Sequence, residues 1–123
     1  MSNQPEKDES LQVARALAEA ARDRKAEAVV ALDVRELTSF TDAFVIATGT
    51  SDRHVRSVAD AVLERGRELG HKPLGAEGYE DGRWVLIDFN VVVVHVFQDD
   101  VREDYDLERL WGDAAAIDFD DVA

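Results

Sequence analysis

The residues best placed for chemistry lie in the turn Thr48-Gly49-Thr50-Ser51, between the apolar run Phe44-Val45-Ile46 and an amphipathic segment. A strand, a glycine turn and the start of a helix would leave free backbone amides, and free amides at a helix N-terminus bind anions such as phosphate. The surrounding residues weaken that reading. A phosphate loop of the Walker type needs further glycines and a Lys beside Ser or Thr. Here the turn continues as Asp52-Arg53, without Lys and with a carboxylate that repels phosphate. Nucleotidyltransferases use a similar Gly-Ser turn with closely spaced carboxylates on the next strand, where metal ions neutralise the transferred phosphoryl group. No Asp-x-Asp or Asp-x-Glu pair lies on a strand after this turn, and Asp33 and Asp88 each stand alone. The turn therefore reads as a helix cap, with Thr50 or Ser51 accepting from a first-turn amide. A nucleotide-binding or nucleotidyltransferase-type enzyme built on Gly49-Thr50-Ser51 is the competing function.

The other reactive side chains give weaker patterns. His54, His71 and His95 share no ligand spacing, and the chain has no cysteine, so neither a clustered zinc site nor a disulfide is expected. His54 falls near a helix start, in an exposed position. His95, within Val91-Val92-Val93-Val94-His95-Val96, reads as a partly buried imidazole with its bonds satisfied. Asp33, Asp42, Glu77 and Asp88 belong to a chain so acidic that most carboxylates should be solvated. Among the aromatics, Trp84 opens a strand on which Leu86 and Asp88 follow on the same face. Tyr105 and Trp111 fall on a later helix. Trp and Tyr serve both as core fillers and as interface anchors.

These residues need a scaffold, and the hydrophobic spacing supplies one. Leu11, Ala14, Leu17, Ala18 and Ala21 predict a helix from Ser10 to about Lys25, capped by Asp8 or Ser10. Ala28 to Val34 and Ala43 to Ala47 read as strands. Val55, Val58, Ala59, Val62 and Leu63 mark a second helix from Ser51 to Leu69, which stops at Gly70. A short extended piece leads to the strands Trp84–Phe89 and Val91–Phe97, joined as a hairpin at Asn90. A last helix starts at Asp99 or Asp100. The expected fold is α/β, a mixed β-sheet flanked by helices, because short connections between neighbouring strands rule out a purely parallel sheet. Residues 1–9 are expected as a disordered acidic tail, 10–112 as the domain and 113–123 as an acidic C-terminal tail, anchored only by Ile117, Phe119 and Val122.

At 123 residues and 46% hydrophobic content the chain is most simply one domain. No apolar run approaches the ~20 residues of a membrane span. The formal net charge of −13 argues against affinity for DNA or other nucleic-acid phosphates and favours a basic partner.

In chain order the sequence carries Ala31-Leu32-Asp33-Val34, Thr41-Asp42, Thr48-Gly49-Thr50-Ser51 with Arg53-His54-Val55, and Ala59-Asp60. Then follow Pro73-Leu74-Gly75 with Glu77-Gly78, Trp84 with Asp88, Val94-His95-Val96-Phe97-Gln98, and Arg102, Tyr105, Leu107-Glu108 and Leu110-Trp111. From Leu11 to Gly112 this ordered set resembles the RsfS (Iojap) family of bacterial ribosomal silencing factors. The resemblance implies a nucleotidyltransferase-like fold without catalytic carboxylates, no cofactor and no enzymatic activity. It implies binding to the large ribosomal subunit through ribosomal protein L-fourteen, a block on subunit association, and repression of translation when nutrients are scarce. It also implies a cytoplasmic location and self-association as a homodimer. Trp84 matches the family's partner contact, and Leu86, Asp88, Tyr105 and Trp111 are the further residues expected at that surface.

Overall fold

The computed structural model describes residues 5–105, 109 and 112–117. Helix α1 runs Pro5–Asp23. It therefore begins at Pro5 rather than Ser10, and residues 5–9, expected in a disordered tail, form its first turns. Pro suits this position because its fixed φ is helical and its missing N–H would have no partner there. Ser10 is consequently no cap: it is buried within the helix and donates to Asp42 Oδ2 at 2.8 Å. The helix closes with Lys25 in the left-handed region at φ 66°, where Ala26 N–H reaches Ala21 O and Lys25 N–H reaches Arg22 O.

Strands β1 (Glu27–Asp33) and β2 (Ala43–Gly49) follow, then α2 (Asp52–Glu68), β3 (Gly75–Glu77), β4 (Trp84–Asp88), β5 (Val92–Gln98), α3 (Asp99–Tyr105) and β6 (Ala115–Ala116). Among the described residues the six strands form one sheet in the order β3-β4-β5-β2-β1-β6. Only β2 and β5 run parallel, pairing Ala43 with Val92 through Gly49 with Gln98, and every other neighbour is antiparallel. This is the mixed sheet the short connections require. The β4–β5 hairpin turns at Asn90, φ 76°, whose N–H donates to Asp88 Oδ1 at 2.7 Å.

Helices α1 and α2 cover one face of the sheet. Leu17, Ala18 and Ala21 of α1 and Val55, Val58 and Val62 of α2 pack on Val45, Ala47, Val85, Ile87, Val94 and Val96. Each fully buried Val, Leu or Ile side chain among them contributes about 1.5–3 kcal/mol. On the opposite face α3 lays Val101 against Ile46 and Phe97. β2 and β5, covered on both sides, are apolar almost throughout, whereas β4 alternates buried and half-buried residues. The C-terminal segment is tied in as well: Ala115 and Ala116 pair with β1, and buried Ile117 donates its N–H to Ala31 O. Among the described residues no helix is long and apolar enough to cross a membrane.

Candidate partner-binding face

The Gly49 turn is occupied by the protein itself. Ser51, in extended conformation, caps α2, its Oγ accepting from His54 N–H at 3.1 Å. His54 Nδ1 accepts in return from Thr50 N–H at 2.9 Å, and its Nε2 lies 2.8 Å from Arg24 O. Those contacts place a donor at Nε2 and tie α2 to the end of α1. His54 is thus half-buried and engaged, not the exposed histidine its position near a helix start implies. Asp52 Oδ1 accepts from Arg53 N–H, and Val55 N–H bonds Ser51 O. Four amides around the turn, those of Thr50, Arg53, His54 and Val55, are thereby engaged.

Gly49 is required for packing. A Cβ there would stand 2.7 Å from Val55 Cγ2 and 2.9 Å from Val55 N. The cleft of about 300 Å³ beside the turn, at the C-terminal ends of the parallel pair, is lined by Glu27, Asp99 and Asp100 together with Thr48, Gly49, Thr50 and Gln98. Its carboxylates oppose a nucleotide phosphate, and no cluster of metal-ligating side chains occurs among the described residues. The carboxylates beside the turn and its engaged amides count against an anion there.

The second place with chemical character is the sheet face opposite α1 and α2. Strand alternation sends Trp84, Leu86 and Asp88 to one face, as the sequence predicts, and all three are half-buried. The pairing then adds residues from two further strands. Trp84 lies opposite Phe97, and Leu86 opposite His95, on β5. Phe44 of β2 brings its ring within 5.6 Å of His95. The Trp84 ring centre is 5.9 Å from His95 and 5.5 Å from Phe97, and Phe40 extends the row from the β1–β2 loop at 6.2 Å from Phe44. Phe40 is 61% exposed and its neighbour Leu37 43%.

Polar bonds hold this aromatic row in place. Trp84 Nε1–H donates to His95 Nδ1 at 3.1 Å. Burial pushes the His95 imidazole down to about 4, so it stays neutral and keeps that acceptor. Asp88 uses one oxygen on the Asn90 turn, which makes it partly a hairpin residue. Tyr105 ends α3, but its side chain and all of Trp111 lie outside the described residues. Of the five residues expected at the surface, the structure brings together the three on β4. It adds His95 and Phe44, both buried beneath them, and the exposed Phe40. The β4–β5 register makes His95 a neighbour of Trp84, while Phe44 meets His95 and Phe40 meets Phe44.

The loop before Trp84 is clamped. Tyr79 Oη–H donates to Asp60 Oδ1 at 2.9 Å, a bond that raises the phenol pKa. Arg56 Nη1 donates to Glu80 O, while Gln98 donates through its backbone N–H to Arg83 O and through its side chain to Gly82 O. Gly78 has φ +83°, and a Cβ there would land on the Trp84 carbonyl oxygen. Gly78→Ala is therefore expected to cost about 2–4 kcal/mol, combining left-handed strain with a backbone clash. Urea unfolding reads this directly, and an unchanged midpoint would show that the loop does not constrain β4.

Comparison with known proteins agrees with this architecture. Residues 7–123 match the family model described as "RsfS: Ribosomal silencing factor during starvation". The chain is 43% identical over 122 residues to a Ribosomal silencing factor RsfS of Halalkalibacterium halodurans, covering 99% of this chain and 98% of that one. It is 30% identical to the mouse protein named "Mitochondrial assembly of ribosomal large subunit protein 1", over 73% of this chain and 41% of the mouse protein. A crystal structure of a Chromobacterium violaceum protein superposes with a TM-score of 0.80 at 40% identity, covering 82% of this chain and 84% of that one.

Proposed function

We propose how this chain acts from one premise: it belongs to the RsfS family, the ribosomal silencing factors. It binds the large ribosomal subunit through ribosomal protein L-fourteen, using the face that carries Trp84, Leu86 and Asp88. Seated there it blocks joining of the small subunit and represses translation under nutrient limitation. The observation that carries the reading is the aromatic row around Trp84, fixed by the His95 bond and the clamped loop. A rigid, half-buried Trp with apolar neighbours has the composition of an interface anchor. The net charge of −13 favours encounter with a basic ribosomal protein. The mouse relative's name places that protein's work at the large ribosomal subunit, in line with this choice.

Such a factor acts by occupancy and needs no bond chemistry. The reading includes a cytoplasmic protein that pairs with a second copy when off the ribosome. Co-sedimentation tests the partner: the chain travels with isolated large subunits and not with small ones. Equal recovery with both, or with neither, would overturn it.

A further inference from the structure

The end of α2 forms a corner that carries two cations. The helix stops in a tight motif in which Gly70 N–H bonds Arg67 O and His71 N–H bonds Gly66 O at 2.8 Å. The chain then passes through Lys72 and Pro73 to Leu74, whose N–H bonds Asp88 O at 2.7 Å. Arg67, Gly70, Lys72 and Pro73 line a cavity of about 370 Å³. The three other cavities described are each lined by at least three carboxylates, namely Asp23, Glu64 and Glu68; Glu27, Asp99 and Asp100; and Asp33, Glu36 and Asp113. This one is lined by two cations and no carboxylate, in a chain of net charge −13.

Arg35, Arg56, Arg65 and Arg83 pair with carboxylates, whereas Arg67 and Lys72, like Lys25 and Arg53, have no such partner among the described residues. Glu68, the nearest acid in sequence, is held by Arg65 at 3.5 Å. The α2 terminus adds only about half a negative charge, less than the two full positive charges beside it. Leu69 and Leu74 flank the corner, 43% and 70% exposed.

We propose that this corner is a second contact with the large subunit, in which Arg67 and Lys72 take the phosphate backbone of its RNA. The proposal rests on the large-subunit reading above. The hydrogen bond from Leu74 to Asp88 sets the corner against the end of β4, so a partner on the Trp84 face and an RNA strand at the sheet edge could be held together. An overall acidic protein binds no free RNA strongly, and two exposed cations suit a local contact made once the protein partner has docked.

Two measurements on the full chain and isolated large subunits decide it. For the double variant Arg67→Gln/Lys72→Gln, affinity is expected to fall roughly tenfold and the slope of log K against log[salt] to become shallower by about 1.5, as for two lost phosphate contacts. Because the chain has no cysteine, Leu74→Cys carrying a benzophenone gives a unique photocrosslinker that keeps both cations. The expected adduct is with large-subunit RNA. Unchanged affinity and slope, or an adduct with ribosomal protein alone, would overturn the RNA contact while wild-type co-sedimentation leaves the large-subunit reading standing. Failure of the wild type to co-sediment would overturn both.

Discussion

Replacing Trp84 by alanine is expected to weaken binding to the large subunit about 100-fold, or ~2.7 kcal/mol. The indole is the largest half-buried side chain on its strand, and its neighbours Phe97, His95 and Leu86 are held by the sheet. Truncation removes the anchor and leaves His95 Nδ1 without its donor. Some loss of stability comes with it, because Trp84 also packs against the cluster of Ile46, Phe97 and Val101. Circular dichroism and a urea midpoint establish whether the variant is folded at assay temperature. Leu86→Ala on the same face is the gentler companion and should weaken binding by a smaller factor. Wild-type affinity in a folded Trp84→Ala protein would remove Trp84 from the interface.

The second large effect is a loss of stability in acid. His95 is buried and neutral when folded, its pKa pushed by burial to about 4, against an unfolded value near 6.5. Above pH ~6.5 neither state binds the proton and His95 carries no penalty. As the pH falls from ~6.5 to ~4 the unfolded chain takes up the proton and the folded chain does not, so unfolding is favoured. Below ~4 both are protonated and the difference stops growing. Linkage puts the loss over that window on the order of 3 kcal/mol. Carboxylates titrate in the lower part of the same window, so the useful quantity is the difference from His95→Gln, whose amide oxygen can still accept from Trp84. The stability curve of that variant should be flatter than wild type between pH 6.5 and 4. Parallel curves would show that His95 does not bear the cost.

The elements legible in the sequence are those with a local cause. The apolar stripe of α2, its Ser51 cap and its Gly70 stop are read from residues within one turn of each other, and the valine-rich β5 from composition. Helix α1 is longer than its apolar spacing suggests because its first turns, Pro5 to Glu9, carry no hydrophobic stripe. There the start is marked only by a Pro at the first position. β6 escapes notice because two alanines make a strand only when β1 is beside them.

The site follows the same division. Trp84, Leu86 and Asp88 share a face through simple alternation. His95 and Phe44 join them through the registers β4–β5 and β2–β5, which depend on residues far apart in the chain, and Phe40 follows through its ring contact with Phe44. The Gly49 turn, attractive as a phosphate site in sequence, is filled by His54, a contact across the turn that spacing alone does not reveal. The fold is organised by that turn, while the proposed partner surface is on the opposite side of the sheet from α2.

Subunit joining followed by light scattering tests the central claim most directly. Large subunits preincubated with stoichiometric protein should fail to form whole ribosomes when small subunits are added, and Trp84→Ala should restore joining. Normal joining with the wild-type protein still bound to the large subunit would contradict the account.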